Sequence, residues 1–155
     1  MSLGLITPEL EALVGEPWPP VVHEVDRPGI RMWATAVGID DLVYHDEDVA
    51  RERGFARLPA PPGFLGVPRR LPGQADPGPP IRGLNPGLQR SLNGGTEYEH
   101  LRPVLAGDEL VATTAIVELK ERTGSIGPML LITRQTTYRR DDEVVAILRA
   151  TVINY

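Results

Sequence analysis

The chain has 155 residues, a formal net charge of −5 at pH 7 and no cysteine. That length supports one core rather than two. The acidic balance gives no footprint for nucleic acid, and the missing thiols exclude disulfides, thiolate metal ligands and thiol nucleophiles together.

No apolar run approaches the roughly 20 residues that span a bilayer. The first residues also lack a basic stretch followed by an apolar one, so a cytoplasmic protein with no membrane association is expected.

Thr7 caps a short first helix that Pro8 and Glu9 favour and Gly15 stops. The alternation of Val21, His23 and Val25 predicts a brief extended segment. Asp26 then caps a second helix, from Pro28 to Gly38, whose spacing puts Met32, Trp33, Ala36 and Val37 on or near one face. Asp46 to Arg53 predicts a third helix stopped by Gly54. The intervening Ile39 to His45 is too short for an element of its own.

More than half of the 16 prolines fall between Pro59 and Pro86. Neither helix nor strand can persist there, which predicts a Pro/Gly-rich covering loop over 59–90. Beyond it, Leu110 to Lys120, Met129 to Arg139 and Val144 to Tyr155 are rich in Val, Ile and Thr. They predict a three-stranded antiparallel meander, with a tight turn at Arg140-Asp141-Asp142 and one more strand from Asn93 to His100. Helices first and strands afterwards predict an α+β fold, one domain over 1–155. There is no Gly-x-Gly-x-x-Gly, P-loop or Gly-x-Ser-x-Gly motif.

Gly38-Ile39-Asp40-Asp41-Leu42-Val43-Tyr44-His45-Asp46, followed by Ala50 and Gly54-Phe55, resembles the MaoC-like enoyl-CoA hydratases and dehydratases, whose pattern is Gly-Asp-x-Asn-Pro-x-His-x-Asp. Ala60-Pro61-Pro62-Gly63-Phe64 resembles the Ala-Pro-Pro segment in the N-terminal halves of double hot-dog hydratases. Gly94-Gly95-Thr96 and Arg102-Pro103-x-x-x-Gly107-Asp108 resemble a strand and a turn of the same halves. The resemblance implies a single hot-dog fold, a curved antiparallel sheet wrapped on helical segments. The Pro-rich loop would stand in place of much of the central helix.

The activity implied is reversible addition of water to a 2-enoyl thioester, with an Asp and a His for proton transfer. Those positions are Ile39 and Tyr44 here. Asp40 and His45 keep the same separation one residue along, which leaves open a shifted dyad beside the plainer reading that these carboxylates cap turns. Substrate-contact candidates are Tyr44, Pro62, Phe64, Leu65, Gly94, Gly95 and Thr96, with Val67 also on the acyl side. Gly94-Gly95 allows close approach of either a ligand or a neighbouring strand. Arg69, Arg70, Arg82 and Arg90 are candidates for phosphate contact, or simply solvated.

His23 and His100 read as structural or surface groups, and neither a metal site nor a cofactor is expected. The resemblance implies acyl-CoA or an acyl-carrier thioester as substrate. It also implies a second hot-dog subunit carrying the Asp and His, as a dimer or a dimer of heterodimers. A self-sufficient homodimeric hydratase, a non-catalytic binding module and a thioesterase are the alternatives.

Overall fold

The computed structural model describes residues 3–66, 78–79 and 87–155. Helix α1, Pro8–Glu11, begins where its cap predicts, with the Thr7 side chain accepting from the Leu10 amide at 3.3 Å. Strand β1, Val21–Glu24, follows. Helix α2, Arg27–Ala36, is opened by Asp26, whose carboxylate accepts from the Gly29 amide at 2.6 Å. Helix α3, Glu47–Glu52, is opened by Asp46 in the same way.

The second half is β2 (Ser91–His100), β3 (Glu109–Gly124), β4 (Gly127–Arg140) and β5 (Glu143–Asn154). With β1 they form one antiparallel sheet in the order β1-β3-β4-β5-β2. The β3–β4–β5 meander is the one predicted, and the added strand is real, reaching back to Ser91. Asp141, with φ at 52°, makes the expected tight turn, a conformation Asp tolerates because its short side chain bonds locally. Strand β2 precedes β3 in sequence yet lies at the opposite side of the sheet, beside β5. The two edges are therefore β1 and β2.

One face of the sheet meets the helices. Leu110, Tyr138, Val145 and Ala146 from the strands pack with Val25, Ile30, Val43, Ala50, Leu58 and Phe64. A second cluster joins Leu10 and Trp18 to Ile116, Leu130 and Ile132, with the Arg134 guanidinium 5.7 Å above the Trp18 ring. The other face mixes Leu131, Ile147 and Ile153 with polar pairs: Thr133 and Thr151 share a hydrogen bond at 2.9 Å, and Arg149 reaches Gln135 at 2.9 Å.

Two expectations are corrected. In α2 the buried residues are Gly29, Ile30 and Ala34, with Trp33 half-buried, while Met32 is 72% exposed and Val37 48%. Ile30, Trp33 and Ala34 follow the three- and four-residue spacing that defines one helical face, and Met32 sits two residues from both Ile30 and Ala34, on the other side. The second correction is that Leu42–Tyr44 does form an element, a single 3-10 turn capped by Asp41.

The start of the Pro-rich segment is pinned. Pro59 bridges to Leu105, and the Ala60 amide donates to the Val104 carbonyl at 2.7 Å. Phe64–Gly66 then makes a short 3-10 turn whose Phe64 and Leu65 are buried. The rest of the predicted covering loop falls largely outside the described residues.

The Arg102-Pro103-x-x-x-Gly107-Asp108 stretch explains itself in space. Gly107 has φ at 92°, and the Asp108 carboxylate, 3% exposed, is met by Arg57 at 3.0 Å, Arg140 at 2.9 Å and the Leu105 amide at 2.9 Å. A buried carboxylate needs that degree of pairing. Among the described residues, no helix is long and apolar enough to cross a membrane.

Candidate functional site

Between α2 and α3 the chain makes a compact corner. Gly38, at φ 76°, ends α2 as a left-handed residue. The Asp41 carboxylate then accepts from the Arg53 guanidinium at 2.8 Å and from the Val43 amide at 3.1 Å. The Arg53 bond first, and the amide bond second, hold its carboxyl below the ordinary carboxylate range.

Both polar residues of the shifted dyad have definite places. His45 turns back on its own loop, with Nε2 2.8 Å from the Ile39 carbonyl oxygen. A carbonyl only accepts, so Nε2 carries the proton and donates. The His45 carbonyl in turn accepts from Arg31 Nε at 2.9 Å, fixing the corner to α2. Asp40 is exposed. Ile39 is half-buried, its amide donating to the Ala34 carbonyl at 2.8 Å.

Tyr44 points elsewhere. Half-buried against the core, it lines a cavity of about 420 Å³ with Val43, Phe55, Pro62, His100 and Val104. Pro59, Ala60 and the Leu101-Arg102-Pro103 stretch complete the walls. Three elements meet here: the 3-10 turn that presents Tyr44, the pinned Pro-rich segment, and the end of β2. Trp33 Nε1 donates to the Pro62 carbonyl at 3.2 Å and ties the Pro-rich wall to α2.

The walls are mainly apolar, with polar side chains only at Tyr44, His100 and Arg102. Arg102 is engaged, its guanidinium bound to Glu143 at 2.8 Å and to the Leu101 carbonyl at 2.8 Å. An apolar hollow of a few hundred Å³ with a few convergent polar groups is the usual form of a small-molecule site. A larger hollow, about 520 Å³, adjoins Asp108, but its Arg57 and Asp108 are paired with each other.

Phe64 and Leu65, expected on the acyl side, are 1% and 3% exposed and lie in the core behind this cavity. Phe64 contacts His23, whose buried ring also stands edge-on to Tyr138. A Cβ on Gly94 would come within 2.8 Å of Ile153 Cγ1, so β2 and β5 are at close approach there. Gly94 is itself the extra residue of a bulge, since Asn93 pairs with Val152 and Gly95, with φ at 148°, pairs with Thr151. Thr96 is exposed and pairs with Ala150. None of these three lines the cavity. Arg90 exchanges backbone hydrogen bonds with Tyr155, while Val67, Arg69, Arg70 and Arg82 lie outside the described residues.

A family model, the FAS1-like dehydratase domain region, matches residues 12–148. The chain belongs to this family. A UPF0336 protein of Streptomyces avermitilis is 35% identical over 117 residues, covering 74% of this chain and 76% of its own. Another from Thermobifida fusca is 28% identical over 135 residues, 86% of each.

Among solved structures, a chain of the ChsH1–ChsH2 complex from Mycobacterium tuberculosis superposes with a TM-score of 0.80 at 23% identity, covering 90% of this chain and 89% of its own. A chain of the HadBC (3R-hydroxyacyl-ACP dehydratase) complex of the same organism gives 0.70 at 23%, covering 91% and 96%. A MaoC-like dehydratase gives 0.73 at 24%, covering 93% of this chain and 42% of its own. At such identities the likeness establishes the fold, and it is the hot-dog fold that the motifs imply.

Within this dehydratase fold, the corner that the resemblance assigns to proton transfer carries Ile39 and Tyr44, and only Tyr44 lines the cavity. The sequence reading missed His100, Phe55 and Val104. The signal for His100 was available in the alternation of β2: Tyr98 and His100 share a face, and their rings stack at 6.4 Å with 13° between planes. Among the described residues, no group of three or more His, Asp or Glu side chains is gathered as a metal site requires.

Proposed function

We propose that this chain is the substrate-accommodating, non-catalytic subunit of a heteromeric 2-enoyl-thioester hydratase. A second hot-dog subunit would supply the Asp and His. Hydration needs a base to take a proton from the attacking water at C3 and an acid to deliver one to C2. The observation that carries the reading is the pairing of Ile39, which exchanges no proton, with an apolar cavity beside Tyr44. The corner keeps its architecture while the proton-transfer groups are gone.

Two further observations support it. His45 spends its Nε2 proton on the Ile39 carbonyl, which favours a bracing role over a shifted dyad with exposed Asp40. The ChsH1–ChsH2 and HadBC neighbours are complexes of two different chains, which supports a partner of the same fold. The ligand in this reading is an acyl-CoA or acyl-carrier thioester, its acyl part in the cavity and no cofactor required.

The test is hydration of crotonyl-CoA and of a bulkier 2-enoyl-CoA, followed by loss of the enoyl absorbance. The pure chain should be inactive, and a mixture with a hot-dog protein encoded beside it should be active. Turnover by the pure chain overturns the proposal. Loss of that turnover in His45→Ala would then establish the self-sufficient reading with Asp40.

A further inference from the structure

We infer that the cavity beside Tyr44 selects acyl tails bearing a hydroxyl or keto oxygen over plain hydrocarbon, and that Tyr44 and His100 are the residues that read that oxygen. The inference deepens the acyl-accommodating reading and rests on it for the word acyl. The oxygen preference itself rests on the cavity alone.

The cavity is not uniformly greasy. Val43, Phe55, Pro62 and Val104 supply apolar walls, while half-buried Tyr44 and exposed His100 line its rim from different elements, the 3-10 turn and the end of β2. Neither side chain has a hydrogen-bond partner among the described residues. That sets them apart from the polar groups nearby: Arg102 is held by Glu143 and a backbone carbonyl, and His45 by the Ile39 carbonyl.

His100 is also held in place without using its nitrogens. Its ring stacks on Tyr98, and Tyr98 in turn lies with its hydroxyl against Gly66. The near-parallel arrangement of the two rings, 13° between planes, engages neither imidazole nitrogen.

Polar side chains that reach solvent exchange hydrogen bonds with water. A hydrocarbon tail that covered Tyr44 and His100 would take those bonds away and return none, so part of its hydrophobic gain is lost. An oxygen accepting from Tyr44 Oη and from a His100 ring N–H replaces the lost bonds. Sites built to hydrogen-bond a ligand oxygen reject the analogue without it far more strongly than an apolar wall rejects an extra methylene.

The experiment titrates the full chain with cyclooctanone and with methylcyclooctane, probes of nearly equal size with and without the acceptor oxygen, following amide chemical shifts. The Tyr44→Phe/His100→Leu double variant should bind the ketone about tenfold more weakly and the hydrocarbon no more weakly than the parent does. His100→Gln, which restores a donor, should recover part of the ketone affinity. Unchanged ketone affinity in the double variant overturns the inference, as does equal weakening for both probes. Oxygen selectivity that survives while no mixture hydrates an enoyl-CoA removes the hydratase reading alone, and hydration without selectivity removes only this inference.

Discussion

Tyr138 is where a single polar atom does most for the wall of the site. Its ring is buried in the sheet-facing core and its hydroxyl donates to the Leu65 carbonyl at 2.7 Å, tying β4 to the turn behind the cavity. Tyr138→Phe leaves that buried carbonyl without its donor, and a loss of about 1–2 kcal/mol is expected, read as a lower urea midpoint at pH 7.

The same residue predicts an alkaline limit. Burial first, and the nearby Tyr98 second, push the Tyr138 pKa up to about 12 from the ordinary 10. The neutral form is therefore favoured by folding. Its contribution is complete below pH 10 and is lost as pH rises from 10 through 12, by an amount on the order of 2 kcal/mol. Unfolding midpoints between pH 9 and 12 should fall more steeply for the parent than for Tyr138→Phe, and parallel curves would contradict the assignment.

At the scale of elements, α2 separates two residues that composition treats alike. Ala34 is fully buried and Met32 is 72% exposed. Ala34→Leu adds three heavy atoms where the core has no room and should cost about 1–3 kcal/mol, whereas Met32→Ala should stay within about 0.5 kcal/mol of the parent. Urea unfolding of both variants checks the orientation of the helix, and the reverse order would mean the helix is rotated.

The caps that open the helices were legible because Thr7, Asp26 and Asp46 act through bonds to amides two or three residues away. The buried face of α2 was not. Met32 and Val37 compete with Ile30 and Ala34 in apolar character, and only packing against the rest of the chain decides between them. The 3-10 turn at Leu42–Tyr44 was missed for a related reason: it holds one turn, too little for periodicity to register. The hairpins were easy, since β-branched runs broken by Asp-Asp and Gly leave few other solutions.

The whole molecule is arranged so that the site and the long free edge of the sheet adjoin. His100, the last residue of β2, lines the cavity, and all ten residues of β2 are exposed. Tyr44 and Pro62, singled out by the motifs, both line the cavity, since both are local to recognisable stretches. The motifs could not place His100 there, because its approach depends on β2 crossing to the side of the sheet beside β5, a feature of topology that no local pattern encodes.

That edge also bears on assembly. An exposed sheet edge offers another chain a run of unpaired amides and carbonyls, and β2 presents ten residues against the four of β1. In the isolated chain, the β2 amides directed away from β5 have no strand beyond them among the described residues and should exchange with deuterium at nearly the solvent rate. If the proposed partner subunit extends the sheet at β2, hydrogen exchange in the active mixture should slow by tenfold or more across 91–100 and change little across 21–24. Protection confined to 21–24 would move the interface to β1, on the side of the sheet away from the cavity. A partner seated there could not reach an acyl thioester held beside Tyr44, so the proposed division of labour would fail with it.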